Sequence, residues 1–111
     1  WGTWCAPCKM ALAHSKEEFE RLAPYDVIYL YMASNSPEES WKNLIKLNNL
    51  VGDNIAHYNL PAAQQSAIEN YLNIHSFPSY RLFDKEGNLV DVKVNAWQLD
   101  NLEKIIKELS K

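Results

Sequence analysis

Two cysteines, Cys5 and Cys8, lie two residues apart near the beginning of the chain, and the sequence contains no others. Side chains three positions apart on a helix have Cβ atoms about 5–6 Å apart, and small rotations bring such a pair into disulfide range. The pair can therefore form a disulfide and open it again without unfolding the chain. Because so short a loop adds little stability, the spacing favours a redox-active Cys5–Cys8 disulfide over a structural one.

Each residue of this motif has an expected role. Cys5 is the expected nucleophile, because partial positive charge at the start of a helix favours a thiolate. The helix dipole stabilises the Cys5 thiolate by only about 0.3–1 kcal/mol. We therefore expect a hydrogen bond from the Cys8 thiol to provide the remaining stabilisation of the thiolate. Cys8 is expected to resolve the mixed disulfide. Pro7 suits the first helical turn through its fixed φ and missing N–H, and Lys9 either favours the thiolate or is a solvated helix lysine.

A metal site is the main chemical alternative. Zinc sites in proteins usually take four ligands, and only His14, His57 and His75 are available besides the two cysteines. His75 precedes Pro78 by three residues and could approach the sulfurs, but an ordinary loop histidine is the simpler interpretation. The ligand count favours redox chemistry without a metal or cofactor over a module that handles copper or zinc.

Composition restricts the class of protein. The 111 residues predict one domain spanning 1–111, with 47% hydrophobic and 23% charged residues, as in ordinary globular proteins. The net charge of -3 and the lack of basic runs argue against nucleic acid and membrane surfaces as partners. No segment is long and apolar enough to span a bilayer. Because the sequence starts inside a motif, we expect an N-terminally truncated fragment.

Hydrophobic periodicity predicts four helices and four strands. The helices cover 6–23, 37–49, 61–73 and 98–110, and the strands cover 25–33, 55–58, 80–83 and 89–94. The first strand is nearly all apolar, as expected of an interior parallel strand covered on both faces. Ser36 with Glu39 predicts a capping box around Pro37. This order favours a three-layer α/β/α fold with a mixed sheet that lacks most of its N-terminal strand.

The predicted buried positions follow from the same periodicity. Along the first helix they form one narrow stripe, and each later helix has a stripe of its own. These positions are Cys8, Leu12, Ser15, Phe19 and Leu22, then Trp41, Leu44 and Ile45, then Ala67, Ile68, Tyr71 and Leu72, and finally Leu99, Leu102, Ile106 and Leu109.

The segment Trp4-Cys5-Ala6-Pro7-Cys8-Lys9 resembles the W-C-x-P-C-K active site of thioredoxins. The order of elements from Trp1 to Lys111 is similar to the thioredoxin fold from the end of its active-site strand onward. The long segment 37–73 before the Phe77–Pro78 pair resembles the TlpA/ResA branch. One departure is Ala13, which stands where many thioredoxins have a helix-kinking proline.

The resemblance implies a thiol–disulfide oxidoreductase that reduces protein disulfides and is itself reduced by an upstream thiol reductase. It implies a cis peptide bond before Pro78, with Phe77 offering its backbone to substrate. Trp4 would form a flat wall beside the cysteines, with core packing as the alternative. The branch implies a periplasmic or extracytoplasmic location, with a possible membrane anchor upstream, and a cytoplasmic location is the alternative. A redox-inert interaction domain is the other alternative function.

Overall fold

The computed structural model describes residues 1–111. The first helical segment of the chain is divided in two at His14. Helix α1 covers Ala6–Ala13 and helix α2 covers Ser15–Leu22. The His14 N–H bonds to the carbonyl of Ala11, three residues back, and the Ser15 hydroxyl donates to the carbonyl of Leu12. These hydrogen bonds span three residues instead of the four of an α-helix, and they interrupt the helix although no proline is present. The prediction of one continuous helix over 6–23 is therefore wrong at one position.

Two parallel strands form the sheet. Strand β1 covers Tyr29–Ala33 and strand β2 covers Ile55–Asn59, with Tyr31 opposite His57. The segment before β1 is a 3₁₀ turn over Ala23–Tyr25, so the strand begins four residues later than predicted. Leu30 and Ile28 are 56% and 71% exposed, which corrects the expectation that β1 is covered on both faces. One face of this short sheet has no helix packed on it at these positions.

The free edge of β1 carries one further parallel contact. The Trp1 nitrogen donates to the Met32 carbonyl at 3.0 Å, and the Ser34 N–H donates to the Trp1 carbonyl at 2.7 Å. This pair of bonds is the pattern of a parallel ladder, with Trp1 opposite Ala33. The residues just before Cys5 are thus attached to β1 on the side away from β2.

Helix α3 covers Glu38–Leu47, and Trp41, Leu44 and Ile45 are half-buried on it. The predicted capping box is wrong, because no side chain caps this helix. The Ser36 hydroxyl instead accepts from the Thr3 N–H and donates to the Ser34 carbonyl, both at 3.0 Å. The Ser36 hydroxyl therefore bonds to Thr3, which is distant in sequence, and does not cap the helix.

Helix α4 covers Ala62–Tyr71, within the predicted range. Its predicted inward stripe is wrong in part, since Ala67 is exposed and Tyr71 is 77% exposed, while Ile68 and Leu72 are half-buried. A helix with so little apolar contact depends on its polar side chains for its position.

The predicted hairpin over 80–94 is reduced to one antiparallel bridge between Phe83 and Leu89. The turn at 84–88 forms as expected, because the Asp84 carboxylate accepts from the backbone N–H groups of Glu86 and Asn88. The Val92 N–H bonds to the Val90 carbonyl within its own segment. That local bond turns the chain away from its partner and ends the pairing.

Helix α5 covers Leu99–Leu109 and packs on α2. Leu22, Leu102 and Ile106 form the core cluster, as predicted for these three positions. Arg21 ties the two helices together through Asp100 at 2.6 Å and Glu103 at 2.7 Å. The chain is a small mixed α/β protein with five helices and a two-stranded parallel sheet. None of its helices has the length and hydropathy needed to cross a membrane.

Candidate functional site

Cys5 and Cys8 form a disulfide at the N-terminus of α1, with Cα atoms 5.2 Å apart. Cys5 is the N-cap residue, with extended backbone, and its Sγ accepts the backbone N–H of Cys8 at 3.3 Å. In this disulfide form Cys8 has no S–H, so the donor to the Cys5 sulfur is the backbone N–H of Cys8, and the expected thiol hydrogen bond of the reduced protein stays a prediction. Cys5 is 5% exposed and Cys8 is 1% exposed, so Cys8 is the deeper of the two.

The first turn of α1 fixes both cysteines. Pro7 lies in this turn, where a residue without an N–H leaves no hydrogen bond unmade. The Lys9 N–H donates to the Cys5 carbonyl at 3.1 Å and begins the helical ladder. The Lys9 side chain is exposed and has no hydrogen-bond partner in the chain. The geometry of the pair thus depends on the backbone of the turn.

Trp4 lies at the surface beside the disulfide. Its side chain is 54% exposed, which contradicts core packing. Its Nε1–H donates to the Ser34 carbonyl at 2.9 Å. A Cβ atom on Gly2 would collide with the indole, so only glycine fits beneath this ring. Trp1, by contrast, is half-buried, and its indole nitrogen is enclosed without a partner.

The segment containing Phe77 and Pro78 reaches the same place from the other end of the chain. The Phe77–Pro78 peptide bond is cis, as the resemblance implied. Both residues are half-buried. The rings of Phe77 and Trp4 meet edge to face, with centroids 5.6 Å apart. The structure therefore brings Phe77 to the residue that adjoins the disulfide.

The three histidines do not join the cysteines. His14 packs against Trp97, and His75 bonds to the Asn73 side chain at 2.7 Å. His57 lies on β2, where its Nε2 contacts the Leu50 carbonyl at 2.6 Å. No group of three His, Cys, Asp or Glu residues lies close enough together to hold a metal ion.

Sequence reasoning missed the residues that support Trp4 from behind. Ser34 provides the acceptor for the indole, and Gln65 on α4 bonds to the backbone on both sides of Ser34. No local pattern identifies these residues, because their partners are about thirty positions away in the sequence. Gly2, between two tryptophans, is the one sequence signal that a ring lies close to the backbone.

Glu18 is a second group that the sequence did not single out. Burial on α2 raises the pKa of its carboxyl to about 7. Burial and this neighbouring carboxylate also raise the pKa of Tyr29 and Tyr31, and they raise the pKa of Tyr80 to about 12. The Tyr29 hydroxyl is enclosed without a partner. Glu18 therefore lies close enough to these three tyrosines to influence the ionisation of their hydroxyls.

The arrangement at the N-terminus of α1 can support thiol–disulfide exchange. After reduction, the N-cap position and the Cys8 N–H favour negative charge on the Cys5 sulfur. Trp4 and Phe77 provide an apolar surface beside it. Neither a protein-family model nor a curated protein matches this chain.

Proposed function

We propose that this protein is a thiol–disulfide oxidoreductase that reduces protein disulfides through Cys5 and Cys8. The observation that carries the proposal is the hydrogen bond from the Cys8 N–H to the Cys5 Sγ, 3.3 Å long, at the start of α1. A hydrogen bond to a charged group contributes about 1.5–3 kcal/mol, against about 0.3–1 kcal/mol for the helix dipole. The backbone donor is therefore the larger of the two effects that stabilise a Cys5 thiolate.

The reaction follows from this assignment in two exchanges. The reduced Cys5 thiolate attacks one sulfur of a substrate disulfide, forming a Cys5–substrate bond and releasing the other substrate sulfur as a thiolate, which takes up a proton. Cys8 then loses its proton and attacks the Cys5 sulfur. The Cys5–Cys8 disulfide forms, the bond between Cys5 and the substrate breaks, and the second substrate sulfur leaves as a thiolate that takes up the proton lost by Cys8. Two electrons pass to the substrate, and an external dithiol reductase restores Cys5 and Cys8.

Four further residues have supporting roles in this proposal. Pro7 restrains the turn between the cysteines. Trp4 and Phe77 offer ring surfaces to the polypeptide on either side of the target disulfide, which their edge-to-face contact and the exposure of Trp4 support. The cis bond before Pro78 turns the backbone of Phe77 at this place.

We propose further that the chain has the thioredoxin fold, in the TlpA/ResA-like branch. The parallel bonds between Trp1 and β1 support this, because they place the residues that lead into Cys5 along the edge of the sheet. Helix α3 and strand β2, which stand between β1 and the Phe77–Pro78 segment, support the choice of branch.

No observation favours the two alternatives. A metal-handling module needs a further ligand near the cysteines, and the three histidines bond or pack elsewhere. A redox-inert interaction domain would not require the Cys5 sulfur to accept a hydrogen bond at the N-cap of α1.

The test is turnover of a disulfide-linked polypeptide with excess small dithiol as the reductant. We expect turnover by the chain, no turnover by Cys5→Ser, and unchanged turnover by His75→Ala, because His75 is exposed and bonded to Asn73. Turnover that survives in Cys5→Ser would show that the proposed mechanism is wrong.

A further inference from the structure

Gln65 on α4 bonds to the backbone of the loop that follows β1. The Gln65 Nε2–H donates to the Ala33 carbonyl at 2.7 Å. Its Oε1 accepts from the Asn35 N–H and from the Ser34 hydroxyl, both at 3.3 Å. Gln65 therefore satisfies the backbone on both sides of Ser34 and fixes the direction of the Ser34 carbonyl.

The same loop is the support of the N-terminal motif. The Ser34 carbonyl accepts from the Trp4 indole at 2.9 Å and from the Ser36 hydroxyl at 3.0 Å. Ser36 in turn accepts from the Thr3 N–H at 3.0 Å. Two residues just before Cys5 are thus attached to a loop whose shape depends on Gln65.

Helix α4 has few other means of fixing its position. Ala67 and Tyr71 are exposed, and no residue of the helix is buried. Glu69 also lies 3.2 Å from the Ser34 hydroxyl, whose single proton is shared between Glu69 and Gln65. The hydrogen bonds to the loop hold the middle of this helix beside the site, while Arg81 holds its C-terminal end through the carbonyls of Leu72 and Asn73.

A groove opens between Trp4 and α4, with a volume of about 890 Å³. None of its lining side chains is charged, and those nearest the motif are Thr3, Trp4, Asn35, Ser36 and Gln65. The Gln65 amide and the Ser36 hydroxyl are bonded within the protein, so they shape the wall of the groove. The groove is uncharged and continuous with the exposed ring of Trp4. A polypeptide that flanks a target disulfide fits this chemistry, whereas a small disulfide needs only access to the sulfur.

We propose that Gln65 is a positioning residue that holds Trp4 and the adjoining groove in the shape that binds polypeptide disulfides. The inference rests on the proposed function, since it assigns a residue that shapes the substrate-binding surface of the same site. Gln65 acts through Ser34 and Trp4 and does not touch the reacting sulfurs. Its loss changes the binding of a polypeptide substrate and leaves the chemistry at Cys5 intact.

The experiment compares Gln65→Ala and Gln65→Met with Gln64→Ala. Methionine keeps the length of the side chain and removes only its hydrogen bonds. Gln64 is the exposed neighbour on the same helix and serves as the matched control. The first readout is the indole N–H resonance of Trp4, assigned from its absence in Trp4→Phe. The resonance of Trp97, which lies in a different groove, reports that the fold is intact.

We expect the Trp4 resonance to move in both Gln65 variants and to stay in place in Gln64→Ala. The KM for a polypeptide disulfide should rise about five-fold, which corresponds to a hydrogen bond of about 1 kcal/mol. The kcat for a small aromatic disulfide should not change. If Gln65→Ala fails to fold, Gln65→Met decides the question.

An unmoved Trp4 resonance in Gln65→Met would overturn the proposal, and so would equal losses of activity with both substrates. If the unaltered chain reduced no disulfide, the proposed function would fail and with it the role of Gln65 in substrate binding. The resonance would still show whether Gln65 holds Trp4, so the two failures are distinguishable.

Discussion

The rings of Trp4 and Phe77 meet edge to face with their centroids 5.6 Å apart, although one precedes the first cysteine and the other precedes the cis proline. This contact joins the two ends of the site. The N-terminal motif provides the sulfurs, and the Phe77–Pro78 segment provides the other side of the surface on which a substrate would lie.

The Trp4–Phe77 contact should appear as a coupling energy. A double-mutant cycle with Trp4→Ala and Phe77→Ala is expected to give about 0.5–1.5 kcal/mol, the usual value for an aromatic pair of this geometry. The measurement is the free energy of unfolding in urea for the two single variants and the double variant. The cycle of Trp97→Ala with Phe77→Ala is the control, because Trp97 packs on His14. Additive effects of Trp4→Ala and Phe77→Ala would show that the contact contributes nothing.

The small core should make the protein sensitive at Leu22. Only 10 of the 111 residues are buried, and Leu22 is 2% exposed within the cluster that joins α2 to α5. Leu22→Ala is expected to lower the free energy of unfolding by about 2–5 kcal/mol, through lost burial and the cavity that remains. Chemical denaturation followed by circular dichroism measures this change.

Leu47→Ala is the matched control for this substitution, since Leu47 is 78% exposed on α3. We expect it to change the free energy of unfolding by no more than about 0.5 kcal/mol. Equal effects of the two substitutions would mean that the core does not lie between α2 and α5.

Glu18 should make stability depend on pH in an unusual direction. Its pKa is raised from 4.5 to about 7 in the folded protein by burial, so the folded state holds the proton more tightly than the unfolded state does. The stabilisation is complete below pH 4.5 and is lost as the pH rises through 7. The loss over this range amounts to about 3 kcal/mol at most.

Glu18→Gln should remove this decline and make the protein more stable than the unaltered chain above pH 7. Urea denaturation at a series of pH values is the measurement. Glu20→Gln removes an exposed carboxylate from the same helix, and its profile should keep the decline. A Glu18→Gln profile that still falls between pH 4.5 and 7 would contradict the assignment to Glu18.

The accuracy of sequence-based prediction here depended on how local each feature is. The Cys5–Cys8 site depends on one helical turn, and the stripe that contains Leu12 and Leu22 depends on helical periodicity, so both were predictable. The prediction that Ser36 caps α3 is wrong because the N–H of Thr3, far away in sequence, bonds to the same hydroxyl. The prediction of a second hairpin strand over 89–94 is wrong because the Val92 N–H bonds to the Val90 carbonyl instead of to a partner strand.

The support of Trp4 was hidden for the same physical reason. In the sequence, Gln65 cannot be distinguished from other polar residues of an exposed helix. Only the fold brings its side chain to the backbone of Ala33 and Asn35. Glu18 is likewise buried although it lies in a run of charged residues on α2.

The central claim is that Cys5 attacks the substrate and Cys8 resolves the complex. The most direct measurement is mass spectrometry of reduced Cys8→Ser after mixing with a disulfide-linked polypeptide. The account predicts a stable covalent adduct on Cys5, which a small dithiol removes, and no such adduct on Cys8 in the matched Cys5→Ser variant. An adduct that forms on Cys8 in Cys5→Ser, with none on Cys5 in Cys8→Ser, would contradict the assignment.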